Sequence, residues 1–134
     1  MHPNPAFRKT DTARNLDFAY TRGFGVLCVN GTDGPVLAHV PFVMAADRSF
    51  VDLHLARSNN IIAAGMPASA VLAVSGGDHY VSPDWYGLAD QVPTWNYIAV
   101  HLRGTLAPLP PEALEPHLNE LSAMQEATLA PKLA

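Results

Sequence analysis

The chain has 134 residues, enough for one domain with a packed core and too few for two. Apolar residues make up 49% and charged residues only 15%, which excludes a disordered chain. A net charge of −4 with scattered Lys and Arg argues against the basic face that non-specific nucleic-acid binding needs.

So low a charge in a small domain suggests that another subunit covers part of the surface. Cys28 is the single cysteine, so no internal disulfide can form, and a cytoplasmic setting is expected. The start, Met1-His2-Pro3-Asn4-Pro5, lacks the charged-then-apolar pattern of a signal peptide, and no apolar run approaches bilayer-spanning length, so no membrane partner is expected.

Residues 1–9 read as an arm held by prolines. Thr10 or Asp11 can cap a helix running to about Arg22, with Leu16, Ala19 and Tyr20 on one face and Gly23 as its stop. Phe24 to Asn30 and Pro35 to Met44 read as strands joined by the turn Gly31-Thr32-Asp33-Gly34. Pro41 cannot donate to a ladder, so it belongs at an edge, a bulge or a strand end. A turn at 45–49 leads to a third strand, Phe50 to Ala56, where Val51, Leu53 and Leu55 alternate with Asp52 and His54.

Arg57-Ser58-Asn59-Asn60 opens a short helix over 61–65, with Ser58 or Asn59 as cap. Ala68 to Ser75 is a continuous apolar run, expected to be a strand buried on both faces, and Gly76-Gly77 reads as a turn. A long hairpin from 78 to 109 supplies two more strands. Pro110-Pro111-Glu112 begins a C-terminal helix with Leu114, Leu118, Leu121 and Met124 on one stripe; Pro116 requires a late start or a kink. Six or so strands with short turns predict a mostly β fold: a small antiparallel β-barrel with α additions and Greek-key-like order, in a single domain spanning 1–134.

The stretch from Asp78 to Gly104 is unusual in composition. Both tryptophans, three of the four tyrosines and two of the six histidines fall there. Trp and Tyr pair a flat apolar body with one hydrogen-bonding group, which suits a half-buried site for a flat polar ligand; an aromatic cluster closing a barrel end is the plainer alternative.

Other constellations are weaker. Arg57-Ser58-Asn59-Asn60 places a guanidinium and a hydroxyl at a helix start, an arrangement fit for a phosphate, while ordinary capping plus a surface arginine explains the same residues. His39, His54, His79 and His101 fall on predicted strands, but no His-x-His, His-Glu-x-x-His or paired-cysteine spacing is present, so no metal is expected. Ser82, Cys28 and Thr94 lack a nucleophile elbow, and Ser82-Pro83-Asp84 reads as a turn. The glycine pairs are too short for a dinucleotide loop.

Tyr80-Val81-Ser82-Pro83-Asp84-Trp85-Tyr86, followed after a short loop by Val92-Pro93-Thr94-Trp95-Asn96-Tyr97-Ile98-Ala99-Val100-His101-Leu102-Arg103-Gly104, resembles the signature of the PaiB-type FMN-binding negative transcriptional regulators. His39-Val40-Pro41-Phe42 and His54-Leu55-Ala56-Arg57-Ser58-Asn59 resemble two further pieces of that family in the same order, and the likeness runs over roughly residues 3 to 125. The resemblance implies an FMN-binding split barrel like that of pyridoxamine-phosphate oxidases and flavin reductases, with FMN at a homodimer interface. It implies that His39, Val40 and Pro41 lie along the isoalloxazine and that Arg57, Ser58 and Asn59 meet the phosphate. It implies too that Trp85, Trp95, Asn96 and Tyr97 line the remaining wall, some from the partner chain. Members of that family usually continue with another strand and a helical segment, an extension not found in this sequence.

Three functions are compatible with these residues. The first is an FMN-binding, regulator-like dimer acting through its flavin or a partner protein, since no helix-turn-helix or basic stripe supports direct DNA binding. The second is a flavin-dependent oxidoreductase, with His79 or His101 as a possible proton donor. The third is a degenerate, flavin-free dimeric binding domain.

Overall fold

The computed structural model describes residues 4, 6, 10–87, 89 and 92–129; the expected proline-held arm over 1–9 lies largely outside them. Helix α1 (Thr12–Arg22) begins where Asp11 accepts a hydrogen bond from the Ala13 N–H, and it ends where Gly23 turns left-handed at φ 60° and its N–H meets the Ala19 carbonyl. Strands β1 (Phe24–Gly31) and β2 (Gly34–Met44) form the expected hairpin, with Gly31 opposite Gly34 across a two-residue turn.

Pro41 occupies the one point on β2 where its missing N–H matters least. It pairs with Phe24, the first residue of β1, and at Phe42 pairing passes to β3 (Val51–Leu53) on the other side. That third strand is shorter than Phe50 to Ala56, although Val51, Leu53 and Leu55 all pack against the core as their alternation predicts. The β2–β3 turn is tied to α1 by Arg48. Its Nε meets Asp17 Oδ1 at 3.0 Å, and its guanidinium lies 3.7 Å from the Tyr20 ring centroid.

Asn59 caps the one-turn helix α2 (Asn60–Ala63), its Oδ1 accepting from the Ile61 N–H at 2.9 Å. Strand β4 (Ala68–Val81) runs straight through the expected turn at Gly76-Gly77, which is a bulge inside a 14-residue strand. A Cβ on Gly76 would stand 3.0 Å from both Ile98 Cβ and Phe18 Cζ, so close packing rather than chain reversal explains that glycine. Ser82 then caps a short 3-10 turn over Pro83–Tyr86, and β5 (Thr94–Leu106) returns along β4. After a 3-10 turn at Pro111–Ala113, α3 (Leu114–Ala127) starts late, so Pro116 falls in its first turn and removes no helical hydrogen bond.

The five strands form one antiparallel sheet in the order β3-β2-β1-β4-β5, so three consecutive strands are followed by a fourth beside the first. That is the Greek-key order expected, with five strands where six were anticipated because the run before Gly76 and the first arm of the aromatic hairpin are one strand. The fold is mostly β and split-barrel-like, with β3 and β5 as open edges rather than a closed seam.

Directly paired residues share a face, so the register sorts the side chains. Ala38, Leu27 and Leu72 point inward, and Val40, Phe42 and Val74 join them in a core closed by Ala19 of α1 and Ile61 of α2. The apolar run in β4 is therefore one-sided: Leu72 and Val74 are buried, while Val71 and Ala73 on the other face are only partly covered. Helix α3 packs against β2 with His117 and Leu121 buried, whereas Leu114 and Leu118 of the expected stripe stand 50% and 37% exposed.

Candidate functional site

On the face opposite the core, the register lines up His39, Val26, Ala73 and His101 across four strands. The next outward row is Leu37, Cys28, Val71 and Arg103. Leu37 and Phe24 expose large apolar surface there, and His39, His101 and Arg103 add polar or cationic edges. Beyond Ser75 the sheet narrows to a two-stranded arm. β1 pairs with β4 only over Val26–Val29, so Asp78, Tyr80, Trp95 and Tyr97 are held by the β4–β5 ladder alone.

The arm continues the same face. Along β5, Tyr97 and Trp95 alternate in phase with His101 and Arg103, and Tyr80 pairs directly with Trp95. The Tyr80 and Trp95 rings lie 6.0 Å apart between centroids, Trp85 meets Tyr80 edge-on at 6.4 Å, and Trp95 Nε1 donates to Asp78 Oδ1 at 3.1 Å. Trp85, Trp95 and Tyr97 are 67%, 55% and 52% exposed, so this aromatic wall is accessible and not the plug of a barrel end.

The sequence-derived residues divide accordingly. His39, Pro41, Trp95 and Tyr97 share the outer face, and Trp85 joins them through its contact with Tyr80. Val40 and Asn96 alternate to the inner side. The Val40 side chain is buried in the core, which leaves only its backbone to offer a ligand, while Asn96 lies exposed on the arm. Arg57 and Ser58 are exposed in the turn before α2, and the antiparallel run of β3 sends this segment back along β2 toward Pro41 and His39. Arg57 makes no ion pair or side-chain hydrogen bond with another described residue. Asn59 has already committed its carboxamide oxygen to capping, and a four-residue helix contributes little dipole, so the Arg57 guanidinium and the Ser58 hydroxyl are the groups of this segment not used in capping.

Sequence reasoning missed two features. His117 lies buried in α3 with Nε2 3.1 Å from His54 Nδ1, a pairing across 63 residues whose only local hint is that His117 precedes Leu121 by one helical turn. Asp78 is the other: the sequence reads it only as the opening of the hairpin, although the order Asp-His-Tyr places its carboxylate two positions before Tyr80 on the same side. Cavities of about 480 Å³ and 670 Å³ open between the β3 and β5 edges, the larger walled by Leu53, Leu55, Met66, Leu106 and the His54–His117 pair; none of the ten sequence-derived residues lines either. Among the described residues no cluster of three or more His, Cys, Asp or Glu side chains could hold a metal ion, and no helix is long and apolar enough to cross a membrane.

Comparison with known proteins shows the family. The model of the family described as "Putative FMN-binding domain" matches residues 1–133. The chain belongs to that family. It is also similar to the protease synthase and sporulation protein PAI 2 of Bacillus subtilis (strain 168), 30% identical over 123 residues, which cover 90% of this chain. The chain spans 58% of the length of that relative.

Proposed function

We propose that residues 1–134 act as one FMN-binding domain that holds its flavin on the outer face of the sheet, at the interface of a homodimer. The observation that carries this reading is the gathering of Trp85, Trp95 and Tyr97 with His39 and Pro41 on one accessible face; Arg57 is exposed and has no ion-pair partner among the described residues. A flat, half-apolar ring system is suited to the aromatic side chains, and a terminal phosphate to the Arg57 guanidinium and the Ser58 hydroxyl. Val40 would contribute through its backbone, and Asn59 and Asn96 through their amide donors. Bound FMN would supply the electron or hydride chemistry, and the protein placement, dryness and charge.

The amount of apolar surface left outside supports the dimer. Phe24, Leu37, Trp95, Tyr97 and Ile98 are each at least 40% exposed, a larger collection than a small monomer ordinarily leaves in water. In this reading the protein is cytoplasmic, and its likeness to PaiB-type regulators and to pyridoxamine-phosphate-oxidase-like split barrels extends to use of the flavin. A regulatory role would work through the flavin or a protein partner.

The test is an absorption spectrum of the purified protein after incubation with FMN and desalting, beside Arg57→Ala. Retained flavin that the variant loses is the expected result. A colourless wild-type protein would sink the cofactor assignment for this chain. Turnover of a reduced nicotinamide by the flavin-loaded protein would move the reading to an oxidoreductase.

A further inference from the structure

We propose that Asp78 is the positioning residue of the aromatic wall: its carboxylate fixes the Trp95 indole and so presets that ring for a flat ligand. The inference rests on the flavin-binding reading above and adds to it a residue that does not itself touch the ligand.

The bulge in β4 makes the contact possible. Ser75 pairs with Ala99 and points outward; strict alternation from there would turn Asp78 inward, away from Trp95. Gly76 and Gly77 together oppose the single residue Ile98, and the extra residue reverses the phase, so Asp78 pairs with Tyr97 and Tyr80 with Trp95 on the outer face. The same reversal sends Val81 inward, where it is 6% exposed. Gly76 is the residue that permits the bulge, since a Cβ there would meet Ile98 and Phe18 at 3.0 Å.

Trp95 needs an anchor. It stands 55% exposed on a two-stranded arm, and among the described residues its ring contact is with Tyr80. The bond from Nε1 to Asp78 Oδ1, at 3.1 Å, ties the polar edge of the ring to the neighbouring strand and leaves its faces free. An ionised acceptor makes that bond stronger than a neutral one, and a ring held before binding loses less freedom on binding.

The test compares wild type, Asp78→Ala and Asp78→Asn. Asparagine keeps an oxygen that accepts from the indole N–H; alanine removes it. FMN titrations followed by flavin fluorescence should show binding weakened about tenfold in Asp78→Ala and only about threefold in Asp78→Asn, as loss of the hydrogen bond and its replacement by a weaker neutral one predict. Ligand-free anisotropy in a Trp85→Phe background, where Trp95 is the single indole, should fall in Asp78→Ala and be restored in Asp78→Asn. Far-UV circular dichroism confirms that each variant is folded.

Equal FMN affinity in all three proteins would overturn the proposal. So would equal weakening in both variants, which would assign Asp78 a role through its charge and not its hydrogen bond. If the wild type bound no FMN, the flavin reading would fail separately. The anisotropy would then decide the positioning role alone: unchanged anisotropy in Asp78→Ala overturns it, and a fall restored by Asp78→Asn supports it.

Discussion

The two faces of the sheet are built from the same strands and end up in opposite situations. Leu27, Val29, Val40, Phe42 and Val74 point inward and are at most 3% exposed, while Phe24, Leu37, Trp95 and Tyr97, an odd number of positions away on those or the adjoining strand, are 40–59% exposed. The inner face is satisfied within one chain, by α1, α2 and the sheet's own side chains. The outer face exposes Phe24, Leu37, Trp95 and Tyr97 beside the polar or charged His39, His101 and Arg103. A composition that is 49% apolar is thus divided between a buried and an exposed face.

The sharpest way to break this contrast is to truncate one residue on each side. Phe42→Ala empties a site that is 1% exposed and should cost about 3–5 kcal/mol in urea unfolding. Trp95→Ala, a larger deletion on the outer face, should change stability by less than about 0.5 kcal/mol while abolishing retention of FMN. Equal stability losses would mean that the outer face is also core.

Gly25→Ala tests the inner face where a neighbouring backbone approaches a glycine most closely. The new Cβ would lie 2.7 Å from the Ala73 carbonyl oxygen, a backbone atom that moves only if β1 and β4 separate, and a loss of about 1–3 kcal/mol is expected in thermal melts. His117→Ala should cost about 1–2 kcal/mol, because it removes a buried ring and leaves His54 Nδ1 without its 3.1 Å partner. A double-mutant cycle with His54→Ala that showed no coupling would reduce the pair to two independent packing contacts.

On the outer face, Leu37→Glu should leave the melting of the single chain within about 0.5 kcal/mol of wild type but shift sedimentation toward monomer. Unchanged self-association would remove Leu37 from the proposed interface. The smallest effect belongs to Asp47, whose carboxylate is held below its ordinary value chiefly by the Ser49 hydroxyl at 2.6 Å and then by the Ser49 N–H at 3.0 Å. A depressed folded-state value contributes stability present above the unfolded value and lost as pH falls through the folded one. Asp47→Asn should therefore slightly flatten the drop in melting temperature between neutral pH and about pH 3. A steeper drop would contradict the sign.

Much of the backbone was legible in local sequence, because caps and turns act over three or four residues. Asp11 and Gly23 bound α1, Asn59 caps α2, the Gly31–Gly34 turn makes the hairpin, and Pro116 delays α3, each as its own chemistry dictates. The aromatic motif and its order supplied the family, which the match over residues 1–133 supports. What local pattern could not supply was the choice of face. In β1 both sets, Val26 with Cys28 and Leu27 with Val29, are apolar, so alternation marks two faces without naming the buried one. Helix α3 buries Leu121 of the expected stripe but joins it with His117 and leaves Leu114 and Leu118 exposed, because β2 and His54 select the buried side, and those partners lie far away in the chain. Gly76-Gly77 has the composition of a turn and becomes a bulge because Ile98 and Phe18 pack against it. The sequence alone determined where elements begin and end, since those signals are short-range; tertiary pairing decided which side of each element meets the core and which stays exposed.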